Sequence, residues 1–173
     1  MFHILIDGYN FLHASRGTDH DWTELSLEDA RAAIVGFLAS RRRPGREKVT
    51  VVFDGGAAAS YGTRQENVHG VEVLFSEAGV TADEVIGRTV RNAPDPRSFL
   101  VVTADRQIRN EVQRLGAKIV GPLNFLIASQ QHHEKRQRRP AAEPREKYQG
   151  TSPGEVEHWK KIFGFDQDKE EPQ

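Results

Sequence analysis

An apolar run, Phe2-His3-Ile4-Leu5-Ile6, leads directly into Asp7-Gly8-Tyr9-Asn10. A short run without alternation, closed by a turn, predicts a strand buried on both faces. The pattern returns at residues 49–54, 71–75, 99–103 and 117–120, giving five predicted strands. Helical spacing lies between them. Ser26 with Asp29 marks a helix start, and Leu27, Ala30, Ile34, Phe37 and Leu38 then recur on one side. Thr81-Ala82-Asp83-Glu84 opens a helix carrying Val85, Ile86, Thr89 and Val90. Ile108, Val112 and Leu115 give another, with Gly116 placed as its terminator. Gly121-Pro122 turns into a last helix from about Asn124. Residues 11–25 read as a polar loop. So do residues 55–70, with Tyr61, Arg64, Gln65 and Asn67, and a loop of that length is usually functional or mobile.

Strands alternating with helices predict an α/β fold with a mostly parallel sheet and right-handed crossovers. At 173 residues the chain suits one domain with an extension. Its net charge of −1 gives no global basic field, so an acidic partner such as nucleic acid has to be held by local patches. The absence of cysteine excludes disulfides, thiol nucleophiles and cysteine zinc sites. No stretch approaches a membrane span and no signal segment opens the chain, so a cytoplasmic protein without membrane contact is expected.

Aspartates stand where chemistry is expected. In an open α/β sheet, ligands lie outside the carboxyl ends of the strands. Asp7, Asp54 and Asp105 end or closely follow three of them, and Asp83-Glu84 starts a helix. Each has an ordinary reading: Asp7 as the cap of the next turn, Asp105 as a helix N-cap, Asp54 as a turn residue, and Thr81 with Glu84 as a capping box. Gathered at one edge, however, like charges raise one another's pKa. A divalent cation relieves that, and hard cations take carboxylate and phosphate oxygens. The set therefore suggests a magnesium- or manganese-dependent phosphodiester site. Two other enzyme classes lack their residues. Tyr9 occupies the place of the second acid of an aspartyl-nucleophile phosphatase, and no glycine-rich nucleotide loop follows a strand.

Ile6-Asp7-Gly8-Tyr9-Asn10, Phe53-Asp54-Gly55, Thr81-Ala82-Asp83-Glu84 and Val102-Thr103-Ala104-Asp105 together resemble the YacP-like branch of the NYN domains, relatives of the PIN-domain nucleases. The resemblance covers roughly residues 1–127. It implies a three-layer PIN-like fold with five strands in the order 3-2-1-4-5. It also implies a metal-dependent endoribonuclease acting on RNA, with mRNA as substrate, the ribosome as a further candidate partner, and 5′-phosphate and 3′-hydroxyl products. Asp7, Asp83 and Asp105 would be the acidic core, Asn10 its amide, and Glu84 and Asp54 further metal ligands. Glu84 stands where relatives often carry an aspartate. Thr103 and Asn10 would orient ligands or water. Arg64, Arg106 and Arg109 are candidates to meet RNA phosphates, against solvated surface charge as the alternative. An RNA-binding PIN-like protein that does not cut is the competing functional reading.

The arginine triplet 41–43 suits a helix C-terminus or a phosphate-contacting patch. His3 reads as a strand residue, and His132-His133 as part of the tail. Composition changes after Gln131. Residues 132–149 read as a charged linker, either a tether or a phosphate-binding arm, after a nuclease domain of residues 1–131. Residues 150–173 form an extension with one short amphipathic helix bearing Val156, Trp159 and Phe163. A helix that short has to dock on its own domain, a second copy or another partner. The oligomeric state is left open.

Overall fold

The computed structural model describes residues 1–55 and 64–137. The readings made for Tyr61, for the basic run after Gln137 and for the helix with Trp159 lie outside the described residues. The chain divides into one compact unit, Met1–Ser129, and a second, Gln130–Gln173. The first carries every acidic motif.

The described elements are β1 (Phe2–Asp7), α1 (Gly8–Ala14), α2 (Leu27–Arg41), β2 (Glu47–Phe53), β3 (Arg64–Val68), β4 (Val71–Phe75), α3 (Ala82–Arg91), β5 (Phe99–Val102), α4 (Arg106–Arg114), β6 (Lys118–Val120) and α5 (Pro122–Gln137). They form one sheet in the order β3-β4-β2-β1-β5-β6. β1 pairs in parallel with β2 on one side and β5 on the other, with Asp7 opposite Val52. The five expected strands thus keep their expected order, and a sixth is added at the edge.

That sixth strand corrects the reading of residues 55–70 as loop. β3 pairs antiparallel with β4 through a two-residue turn at His69-Gly70, both at positive φ (51° and 82°), as tight hairpins require. Its sequence, Arg64-Gln65-Glu66-Asn67-Val68, is largely exposed. A polar edge strand has no buried face to imprint a pattern. Arg64, expected in a loop, therefore sits on β3.

The reading of residues 11–25 as polar loop holds from residue 15 but is corrected at its start, where residues 11–14 are helical. Asp7 caps a helix that begins at Gly8. From it Phe11 is fully buried, its ring packed against Trp22, Phe37 and Phe125. Ser15 ties this corner together, donating to Leu12 O and accepting from Trp22 N. The helix α2 starts at the expected Ser26 cap. Ala30, Ile34, Phe37 and Leu38 are buried as expected, but Leu27 is exposed. The last helix begins at Pro122, two residues earlier than expected, and continues to Gln137, into the run read as linker. Proline suits the first turn because its missing N–H has no helical partner there.

Strand alternation assigns each sheet face its layer. Leu5, Val52 and Val101 pack with Ala82, Ile86 and Val90 of α3 and with Ile108 and Val112 of α4. Ile4, Ile6, Val51, Leu100 and Val102, equally buried, point to the other face. Continuing the alternation, Asp7 and Thr103 share the face of Leu5 and Val101. The acids therefore come out beside the N-termini of α3 and α4.

Candidate acidic site

Asp7 is only 4% exposed. It caps α1 with both oxygens: Oδ1 accepts from Asn10 N (2.9 Å) and Oδ2 from the Asn10 side-chain amide. The expected amide thus returns to the acid, though by a helical turn and not by a loop. The intervening Gly8 is demanded by space. A Cβ there would lie 2.3 Å from the Phe53 ring, and no left-handed backbone is involved.

On β1's other flank, the Thr103 hydroxyl accepts from Asp105 N (3.1 Å). Asp105 in turn caps α4, its Oδ1 accepting from Gln107 N (2.7 Å) and Ile108 N (3.0 Å). Asp54 follows β2 and accepts from Ala82 N (2.6 Å) at the start of α3. Ser76, fully buried just past β4, fixes that corner: its hydroxyl accepts from Gly55 N (3.1 Å) and its own N–H donates to Phe53 O (3.0 Å). Asp83 sits in the first turn of α3. The ordinary capping readings of Asp7, Asp105 and the Thr81–Glu84 box are therefore all realised. They also bring the starts of three helices, with their partial positive charge, to one place.

Electrostatics shows which acids meet. Burial first, then the charges of Asp7, Asp105 and Asp54, push the Asp83 carboxyl from 3.8 up to about 6. Asp83 also lies within hydrogen-bonding reach of Asp7. Asp7 is raised as well, by burial and then by Asp54, against the lowering effect of the Asn10 hydrogen bonds. None of these four aspartates pairs with a described lysine or arginine. Asp83 Oδ1 is buried and has no hydrogen-bond partner.

Glu84 is placed differently. It is exposed and its carboxylate accepts from Thr81 N (3.1 Å), closing the capping box. It is not among the charges that raise Asp83. Among the described residues, no three histidine, aspartate or glutamate side chains already hold the arrangement of a metal site. The capping bonds explain this: several lone pairs are directed into the helix starts. Each carboxylate still has other lone pairs, and magnesium needs only one or two carboxylates beside water and phosphate. The orphaned Asp83 oxygen and the unpaired charge fit a hard divalent cation.

The arginines divide. Arg64 pairs with Glu66 and lies over the Phe75 ring. Arg106 is exposed and Arg109 half-buried on α4. In the triplet, Arg41 stacks on Phe37, Arg42 donates to His69 O and Arg43 pairs with Glu47. These contacts lie toward the amino ends of the strands, the edge away from Asp7. Sequence reasoning missed Ser76 and Arg31. Arg31 donates to the Tyr9 hydroxyl and lies 5.3–5.6 Å from the ring centres of Tyr9, Phe53 and Phe75, bracing the turn after Asp7. No signal in the sequence joins these positions.

The mixed sheet, with unpaired aspartates at the carboxyl edge of its central strands, accords with a place in the PIN-like nuclease superfamily. Within it the chain belongs to the YacP-like NYN domain family, whose model matches residues 4–163. That match runs past the boundary read at residue 131. A Bacillus subtilis relative described as uncharacterized protein YacP is 34% identical over 89 residues, 48% of each chain. The chain thus spans about half the length of the curated relative it matches. Two crystal structures of Rae1 (YacP) from Bacillus subtilis, one of them a mutant, are similar at 25% identity over 80% of both chains, with TM-scores of 0.62 and 0.56. Among the described residues, no helix is long and apolar enough to cross a membrane.

Proposed function

We propose that the chain is a metal-dependent endoribonuclease that hydrolyses phosphodiester bonds in RNA, with mRNA as its substrate class. One observation carries the reading. Asp7, Asp54, Asp83 and Asp105 stand together without a described cationic partner, and Asp83 is left with a buried, unpartnered oxygen. A purely structural set of caps has no need to concentrate uncompensated charge at the one edge where α/β sheets bind ligands.

Asp7, Asp83 and Asp105 would hold Mg²⁺ or Mn²⁺, with Asp54 alongside. When bound, such an ion acidifies water and offsets phosphate charge. The chain's own residues do the rest. Asn10 fixes the orientation of Asp7 through two hydrogen bonds. Thr103 fixes the backbone turn that presents Asp105. Burial and the neighbouring acids push the Asp83 carboxyl up to about 6, and a bound cation would offset that repulsion and hold the carboxylate ionised. Glu84 caps α3 through Thr81 and lines the cleft beside Asp83 and Asp105, where it would be a further ligand.

The competing reading, RNA binding without cleavage, draws on the lack of a preformed three-ligand group among the described residues. One experiment separates the two. A 5′-labelled RNA is incubated with the full chain and Mg²⁺, beside Asp7→Asn, which keeps a competent helix cap. Cleavage by the wild type alone supports the nuclease. Retarded but uncut RNA with both proteins supports the binder.

A further inference from the structure

Beside the acids, a cleft of about 540 Å³ runs between α3 and α4. Its acids are Asp83, Glu84, Asp105 and Glu111, its cations Arg88 and Arg91, and Gly87 and Ile108 stand between them. Its volume is in the range of small-ligand sites. Glu84, Gly87, Arg88 and Arg91 recur at helical spacing and share one face of α3.

Two features show how this cleft is built. The first is Gly87. A Cβ there would come 3.0 Å from Glu111 Oε1, so a side chain at this position would press the Glu111 carboxylate outward. Glycine inside a helix is disfavoured, and here it lets the Glu111 carboxylate lie close against α3. The second is the pairing of charge. Arg91 is bound to Glu111. Arg88 is exposed, and its guanidinium has no hydrogen-bond or ion-pair partner among the described residues. The cleft therefore carries acids at one end and an unengaged cation further along α3. Arg88 follows Asp83 by five residues, about 7.5 Å along the helix axis.

We propose that the cleft between α3 and α4 seats the single-stranded RNA adjoining the cleaved bond, with Arg88 as the anchor of the neighbouring phosphate. This rests on the nuclease reading for the position of the cleaved bond. A guanidinium grips phosphate through paired N–H donors. Duplex RNA keeps its bases stacked inside, so an unpaired strand suits the cleft better.

The test is fluorescence anisotropy with a short single-stranded RNA and the full chain, in chelator so that no strand is cut, at several salt concentrations. Arg88→Ala should weaken binding about tenfold, as loss of a charge-assisted bond does. It should also lower the slope of log K against log salt by about 0.7, one phosphate contact on a single strand. Arg88→Lys should keep the slope and lose part of the affinity. Arg114→Ala, on the same helix pair but outside the cleft, should match the wild type. The same RNA annealed into a duplex should bind more weakly than the single strand. Wild-type affinity and slope in Arg88→Ala overturn the proposal, as does equal binding of duplex or no RNA binding at all. If Arg88→Ala binds normally while the wild type cuts RNA, the cleft assignment falls and the nuclease stands. If Arg88→Ala loses affinity although the wild type never cuts, the cleft stands and the nuclease reading falls.

Discussion

Asp83→Asn should make the protein more stable while removing its chemistry. The carboxyl of Asp83 loses its proton at about 6, against 3.8 for an ordinary aspartate. Between those two values the folded chain holds a proton that the unfolded chain has lost. Stability therefore falls as pH rises through the window, and above it the deficit is complete. The difference corresponds to at most about 3 kcal/mol, and solvent screening of this half-buried group reduces it to about 1–2 kcal/mol. An amide of the same shape carries no charge and can donate to Asp7. Asp83→Asn should raise the melting temperature at neutral pH by about 2–8 °C, and the gain should fade as pH approaches 3.8. Cation binding gives a second reading of the same site. Mg²⁺ at about a hundred times its dissociation constant should stabilise the wild type by about 2.7 kcal/mol, and the variant by much less. Differential scanning calorimetry across pH, with and without Mg²⁺, measures both. A variant that is neutral or destabilised at neutral pH, or a gain that does not change with pH, would refute the account of the acid cluster.

Two further outcomes test the frame around the site. Gly8→Ala places a Cβ 2.3 Å from the Phe53 ring and should cost about 1–3 kcal/mol by overpacking; an unchanged urea midpoint would contradict the close approach. His3, half-buried beside Lys48 and bonded to Thr50, is lowered to about 4 chiefly by that partial burial. Its folded pKa being depressed, the chain loses stability as pH falls from 6.5 through that value. In an NMR titration His3 should stay neutral where exposed histidines charge, and an ordinary midpoint near 6.5 would overturn the burial argument.

The acids were legible because strand ends are legible. Apolar runs at residues 2–6, 49–53 and 99–102 mark the sheet, and parallel topology fixes which of their ends carries Asp7, Asp54 and Asp105. β3 was not legible, since an exposed edge strand leaves no apolar alternation. The helix α1 was hidden because Asp7-Gly8-Tyr9-Asn10 serves both a turn and a cap, and only the Phe53 ring across the site explains the glycine. Glu84 shows a different limit: the spacing of a capping box and that of a second metal ligand are the same, and the side chain here makes the cap while facing the acidic cleft. Arg31, Ser76 and Arg88 act through partners or spaces contributed by distant segments, which local pattern does not encode.

The most direct test of the nuclease reading is a metal-restoration assay. The full chain is stripped with chelator and mixed with 5′-labelled single-stranded RNA, then given Mg²⁺ or Mn²⁺, in parallel with Asp7→Asn. The account predicts no cleavage in chelator, cleavage on restoration with new 5′-phosphate ends, and loss of cleavage in a variant that still melts as a folded protein. Cleavage that persists in chelator, or that Asp7→Asn retains at the wild-type rate, would contradict it.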